Sequence, residues 1–381
     1  MTEVVVAGVS TRAMAESAAR AGYVVTAIDG YADRDQDAGV RAIAVPSDSG
    51  QPFTAATAAI MGARIPCDAV AYQSNLDNDP EAVRTLALGR TLWGNSPETL
   101  RRVRNPFMVA DTFRAHGVTV PRVCAADPTA TVTWLTKPFS SGGGHHIRRH
   151  TDGKVRRGHY LQEFVAGIPA SIVFIAAGGR ATPLAVTRQL IGDASFGASG
   201  FRYCGNILAP RWDLQFDDEN RLPRHAGRLA EIAASAFGLT GVNGIDFIAQ
   251  RDAAIPIEIN PRWTASCELV DRAHGPRVFA LHADACRHGR LPSAADPPAL
   301  VDAFGKAIVF AREACLIEST DAWLDDRNIR DVPQNGARFH AGAPVCSVFA
   351  AADTSTACYA ALQTKAQHIY DQLRPMTDHE S

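Results

Sequence analysis

The chain has 381 residues, 46% of them hydrophobic and 20% charged, with a formal net charge of −2. That excludes a disordered or collagen-like chain, and it leaves no excess of positive charge to bind nucleic acid or an anionic membrane surface. The length allows two to three domains, each able to bury its own core.

Val4 to Val9 reads as a buried strand, followed by a helical pattern over 13–21, Gly22 and a second strand over 23–28 that ends at Asp29. That β-α-β order, continued by a strand near Ala69 to Gln73, predicts a parallel α/β unit. Gly8-Val9-Ser10 lacks the glycines of a dinucleotide turn, so a dehydrogenase is not expected even with Asp29 in place. The turn from Gly8 to Arg12 is instead a candidate contact for a substrate anion at a helix N-terminus. Ser96-Pro97-Glu98 reads as a helix start, and Arg101-Arg102-Val103-Arg104 as the solvated face of that helix.

Thr131 to Pro138 is a predicted strand carrying Lys137, and it runs into Ser140-Ser141-Gly142-Gly143-Gly144-His145-His146. A cation beside three glycines suits a phosphate cradle, because backbone N–H groups can approach an anion closely there. Lysine is scarce, occurring only at 137, 154, 306 and 365 against thirty-four arginines. His145, His146 and His150 lack a matching metal-ligand set, and no G-x-S-x-G elbow surrounds Ser195 or Ser199. Tyr160 to Gly167 predicts a strand and turn, with a further strand over Ala170 to Ala177.

Gly241 to Arg262 predicts a hairpin with a polar turn at about 251–254. A three-residue turn centred on Asp252 places Asp246 opposite Glu258, and Asn260 shares the face of Glu258. Two carboxylates and an amide among Ile245, Phe247, Ile257 and Ile259 form an oxygen-only set suited to Mg2+. Beyond residue 300, short strands with Gly and Pro turns lead to a closing helix over about 354–373. The eight cysteines never form C-x-x-C, and no apolar run approaches the roughly 20 residues of a membrane helix. Met-Thr-Glu leads directly into an apolar strand without a basic leader region, so a cytoplasmic chain is expected, with no membrane and no nucleic-acid partner.

The order of these parts resembles the ATP-grasp superfamily: a parallel domain, Lys137-Pro138 before a glycine loop, Gln162-Glu163-Phe164-Val165, then Asp246 and Glu258-Ile259-Asn260-Pro261-Arg262. With Phe201 to Asn206 and Ser266-Cys267-Glu268, the text is most similar to ATP-grasp carboligases related to biotin carboxylase. The resemblance implies an α/β fold, α+β in its central part, with four pieces: a parallel-sheet pre-grasp domain (1–122), a lid (123–180), a large subdomain with the metal site (181–300) and a small β-rich cap (301–381). It implies ATP contacts from Lys137, Gly142, Gly143, Gly144, Gln162, Glu163, Phe164 and Val165. It further implies Mg2+ or Mn2+ on Asp246, Glu258 and Asn260, with Arg262 and Arg188 as cations near the transferred phosphate.

The implied activity is ATP-dependent joining of a small-molecule carboxylate to an amine through an acyl phosphate, in cofactor biosynthesis of the methanopterin or methanofuran type, with a homodimer as the candidate assembly. Rival readings are a carboxylase-like or phosphotransferase enzyme and a non-catalytic ATP sensor. Two positions depart from the family pattern. Pro106 follows Asn105 where a lysine is usual, leaving Arg104 as the nearest substitute cation, and Ala170 stands where a ribose-binding glutamate is common.

Overall fold

The computed structural model describes residues 1–125, 132–151, 153–210, 221–251, 253–275, 277–293 and 300–376. Strands β1 (Glu3–Ala7), β2 (Val24–Asp29), β3 (Val40–Ala44), β4 (Ala69–Tyr72) and β5 (Thr91–Trp93) form a parallel sheet in the order β3-β2-β1-β4-β5. Helices α1 (Arg12–Arg20), α2 (Val45–Ser49), α3 (Ala55–Ala63) and α4 (Pro80–Leu86) connect or cover it. The strand order reverses direction between β1 and β4, so the carboxyl ends of these two strands open a crevice. Just past β1, position 8 requires glycine, because a Cβ there would stand 2.8 Å from the Gln73 Cβ.

Two capped helices follow. In α5 (Pro97–Val103) the Ser96 side chain accepts from Thr99 N, and in α6 (Pro106–Ala115) Asn105 accepts from Phe107 N and Met108 N. Proline at the first helical position costs no hydrogen bond, since that N–H has no partner inside the helix. Asn105-Pro106 is thus a helix start.

Strands β6 (Val123–Cys124), β7 (Trp134–Pro138), β8 (Arg148–Arg149) and β9 (His159–Glu163) form a small antiparallel sheet ordered β6-β9-β7-β8. The largest sheet is built from β10 (Ile168–Ala177), β11 (Arg180–Ile191), β12 (Tyr203–Leu208), β13 (Gly241–Gln250), β14 (Ala253–Asn260), β15 (Ala303–Phe310), β17 (Ile329–Arg330) and β19 (Pro344–Ala352), among the described residues. A second small sheet joins β16 (Cys315–Leu316), β18 (Arg338–Phe339) and β20 (Arg374–Pro375). Helices α7 (Arg221–Phe237), α8 (Ala265–His274), α9 (Val278–His288), α10 (Asp321–Asp325) and α11 (Ser355–Tyr370) complete the set.

The unbroken apolar run in β10 has a plain cause: both faces of the strand are covered. Ile172, Phe174 and Ala176 pack under α7, while Val173, Ile175 and Ala177 join a core shared with α1, α9 and the N-terminal sheet. Tyr23, Trp93 and Phe279 seal that shared core edge-on, with ring centroids 5.3 and 5.5 Å from Tyr23. The piece boundary expected at residue 180 falls inside the β10–β11 hairpin, and that at 300 falls just before β15, which pairs with β12. The large sheet therefore spans three of the four expected pieces.

Arg12 does not reach a substrate anion. Its side chain is fully buried and lies 2.7 Å from Glu268, 2.8 Å from Asp331, 3.3 Å from Glu16 and 3.4 Å from Asp35. Burial disfavours its charge, but these carboxylates outweigh that and raise its pKa well above the ordinary value. Lys306 donates to the other Glu268 oxygen at 2.7 Å, and Arg330 meets Glu16 and Asp35. Removing one member of such a buried network leaves uncompensated charges. Arg12→Met should lower stability by about 3–5 kcal/mol in urea unfolding, and a loss below about 1 kcal/mol would contradict this account.

His282 on α9 accepts the Val242 N–H at 2.9 Å through Nδ1, and burial pushes its pKa down to about 4. The unfolded chain, titrating near 6.5, therefore takes up the proton first as pH falls. Stability from this group is complete above pH 6.5 and declines toward pH 4. Between pH 7 and pH 5, wild type should lose about 2 kcal/mol more than His282→Asn in urea unfolding.

Candidate active site

A cavity of about 1220 Å³ opens where the small sheet, the large sheet and the carboxyl ends of the N-terminal strands meet. At one end β7 and β9 pair with Lys137 beside Tyr160 and Leu135 beside Gln162. The buried Lys137 ammonium donates to Gln162 Oε1 at 3.0 Å, and Gln162 Nε2 donates to Ile257 O at 3.3 Å. Lys137 is thereby aimed across the cavity at the β13–β14 hairpin. Glu163 pairs with Arg122 at 3.0 Å, and the hydrogen bond from Arg122 holds its carboxyl below the usual range. Within the expected adenine-reading segment, the Glu163 and Phe164 N–H groups are donated to Arg122 O and Thr133 O.

Ala170 is fully buried in the core beneath α7, on the face turned from the cavity. A glutamate there would have entered apolar packing, which explains why this chain lacks one at that position.

The glycine loop lies docked. Gly143 O accepts from Tyr203 N at 3.0 Å, Ser141 O accepts from Arg104 Nη2 at 2.8 Å, and Gly144 has φ +73°. A Cβ on Gly144 would stand 1.9 Å from Phe201 O, so both conformation and space require glycine at this position.

Asp246 is paired with Glu258 in the β13–β14 ladder, by a different route from the expected one. Gln250 pairs with Ala253, which makes the connection two residues long, and a bulge near Ile257 then shifts the register by one. Asp252, the expected turn centre, lies outside the described residues.

Asp246 accepts from Gln189 Nε2 at 3.0 Å and from Asn260 Nδ2 at 3.1 Å. Burial, reinforced by the facing Glu258, pushes its pKa up to about 7. Burial also opposes charge on Glu258, but Arg104 and Lys137 outweigh it and hold this carboxyl below its usual range. Arg104 Nη1 donates to Glu258 Oε1 at 2.6 Å, so this residue turns inward while Arg101 meets Glu81 and Glu98 at the surface. The expected solvated basic face therefore holds for Arg101 and fails for Arg104.

Arg262 donates to Asn260 Oδ1 at 3.2 Å and to Trp263 O at 3.0 Å, and it stands 3.2 Å from buried Asp77. Arg188 is not brought to this site. It lies on the opposite face of β11 from Thr187 and Gln189, within electrostatic reach of Tyr359.

The lining also includes Gln73, Asn78 and Gln189, which sequence reasoning did not single out. The signal for Gln73 and Asn78 was the polar run from Gln73 to Asp79 at the carboxyl end of a parallel strand, and Gln189 carried none. The expected ligands fit a cation that keeps most of its coordination for water and phosphate. They are oxygen donors, one of them a buried acid with raised pKa, and beside them Arg104 Nε has no hydrogen-bond partner among the described residues, as suits a phosphate that completes the cation's shell. Among the described residues, no group of three or more His, Cys, Asp or Glu side chains could hold a metal by itself.

The model of the ATP-grasp domain matches residues 103–266, a span holding every element of this nucleotide-like end. These residues form an ATP-grasp domain. No curated protein matches the chain.

Among solved structures, the whole chain is similar to an L-amino acid ligase from Bacillus licheniformis, 16% identical over 99% of each chain with a TM-score of 0.71. It is also similar to a biotin carboxylase from Campylobacter jejuni, 14% identical over 98% of this chain and 91% of that one, TM-score 0.71. A carboxyaminoimidazole ribonucleotide synthase from Aspergillus clavatus is 15% identical over 98% and 99%, TM-score 0.69. The fold is thus the ATP-grasp fold along its length. No helix among the described residues is long and apolar enough to cross a membrane.

The docked ATP-grasp loop carries a direct test. Gly144→Ala should free the loop from the Phe201–Tyr203 segment, raising hydrogen exchange at the Tyr203 amide by about tenfold or more, and unchanged exchange would refute the required close approach.

Proposed function

We propose that the chain is an ATP- and Mg2+-dependent ligase that joins a carboxylate to an amine through an acyl phosphate. The observation that carries this reading is one cavity in which Lys137 and the glycine loop face the Asp246–Glu258 pair and Asn260. The neighbouring folds, which include an L-amino acid ligase and two enzymes that use ATP with small molecules, support it.

Asp246, Glu258 and Asn260 would hold the metal, and Lys137, Gly142, Gly143 and Gly144 the nucleotide phosphates. Gln162 to Val165 would line the base. When bound, ATP with Mg2+, or Mn2+ in its place, supplies the transferable phosphoryl group and neutralises its charge.

The protein's own part is positioning. Arg262, braced by Asn260 and Asp77, stands between the nucleotide end and the N-terminal crevice, where it can orient a carboxylate. Docking of the loop on Tyr203 excludes water that would hydrolyse an activated acyl group. Glu258 would be among the residues that hold the metal, and the Arg104 guanidinium, 2.6 Å from that carboxylate, would be placed to serve the phosphates in place of the usual lysine. Arg188 is withdrawn from the set.

A cytoplasmic location, expected from the N-terminal residues, belongs to the same reading, as do a homodimer, a division into pieces near 122, 180 and 300 and a role in cofactor biosynthesis, which rest on the motif resemblance.

Glu258→Gln should reduce Mg2+-dependent ADP release by at least about a hundredfold with an unchanged far-ultraviolet circular dichroism spectrum. Turnover equal to wild type would remove the metal assignment. A matrix of carboxylates against amines, with products read by mass spectrometry, identifies the pair that is joined.

A further inference from the structure

The arm of the cavity farthest from Lys137 lies over the carboxyl ends of β2, β1 and β4 and is lined by Tyr31, Asp33, Ser10, Gln73, Ser74 and Asp331. Its carboxylates are unequal in their partners. Asp29 is occupied by Thr11, whose N–H and hydroxyl donate at 2.6 and 2.7 Å, and by Tyr31 N–H. Asp35 meets Arg12 and Arg330 and accepts the Val332 N–H, while Asp331 meets Arg12 at 2.8 Å. Among the described residues, buried Asp33 Oδ2 has no hydrogen-bond partner, with Asp331, Asp29 and Asp35 around it and Arg12 within electrostatic reach. Burial first, and then these three carboxylates, raise its pKa well above the usual range against the opposing pull of Arg12. On the other wall Gln73 is only 6% exposed, and its Nε2 also lacks a partner.

A buried carboxylate among other carboxylates is costly unless a cation meets it. Asp33 and, across the arm, the Gln73 amide offer an acceptor and a donor without partners among the described residues, the complement of an ammonium or guanidinium group with a neighbouring oxygen.

We infer that this arm binds the part of a substrate that carries a non-reacting ammonium or guanidinium group, held by Asp33, with a neighbouring carbonyl or hydroxyl oxygen met by Gln73. This deepens the ligase reading and rests on it for the word substrate. Binding energy from such a remote group would orient the reacting end toward Arg262 and the nucleotide.

The test uses the full chain and two independent measurements. In calorimetry, agmatine and putrescine should bind wild type at least about tenfold more tightly than neutral butyramide. Asp33→Asn should lose that preference, and Asp33→Glu should recover part of it. The apo Asp33→Asn protein should melt no lower than wild type, because the buried Asp33 Oδ2 has no hydrogen-bond partner to lose and the amide carries no charge to bury. Equal affinity for butyramide, unchanged agmatine binding in Asp33→Asn, a marked loss of stability in that variant, or a heat of MgCl2 binding that depends on Asp33 would each overturn the proposal.

Separately, ADP release with carboxylate and amine pairs tests the ligase reading. Its complete absence would sink that reading while leaving the cation-binding result to stand or fall by calorimetry.

Discussion

The fold depends on a buried charge network centred on Arg12. Four carboxylates from four separate segments converge on one fully buried guanidinium: Glu16 in α1, Asp35 after β2, Glu268 in α8 and Asp331 after β17. Lys306 in β15 holds the far side of Glu268, whose pKa is brought down to about 2 because Arg12 and Lys306 outweigh the effect of burial. Apolar packing would tolerate sliding between the N-terminal sheet and the large sheet. A guanidinium fork with fixed donors does not, so the network sets the register between the two sheets and thereby the width of the cavity between them.

A second polar clamp works in the same direction. Tyr72 Oη donates to Asn95 O and Pro261 O, and Asn95 donates to Asn243 Oδ1 and Pro261 O. It ties the end of β4 to the turn that follows Asn260, so β14 and the N-terminal crevice cannot move independently. The site thus combines a docked lid above and a rigid floor below, as catalysis by positioning requires.

The Arg104–Glu258 pair shows how a replaced residue is absorbed. A proline after Asn105 fits the start of α6, and the cation comes from two residues before that proline, at the C-cap of α5, where it reaches both Glu258 and the glycine loop. One guanidinium therefore links a candidate metal ligand to the lid. A lysine point charge would not span both acceptors so readily.

Much of this was legible from the residues alone. The apolar runs and their turns gave the N-terminal parallel sheet, and the order of Lys137, the glycines, Gln162 to Val165 and Glu258 to Arg262 indicated the ATP-grasp fold, because local patterning and short motifs survive without knowledge of distant contacts. What the sequence could not supply was every assignment made by long-range register. The bulge near Ile257 sets the Asp246–Glu258 pairing, strand alternation turns Arg188 away, and sheet continuity carries β15 into the large sheet. Arg12 looked like an anion contact and became the buried centre of the molecule, because its partners lie up to 319 positions away in the chain. The sequence by itself determined which chemistry is present. Only the tertiary structure decided which charges satisfy one another, and so which, such as Asp33, remain for a ligand.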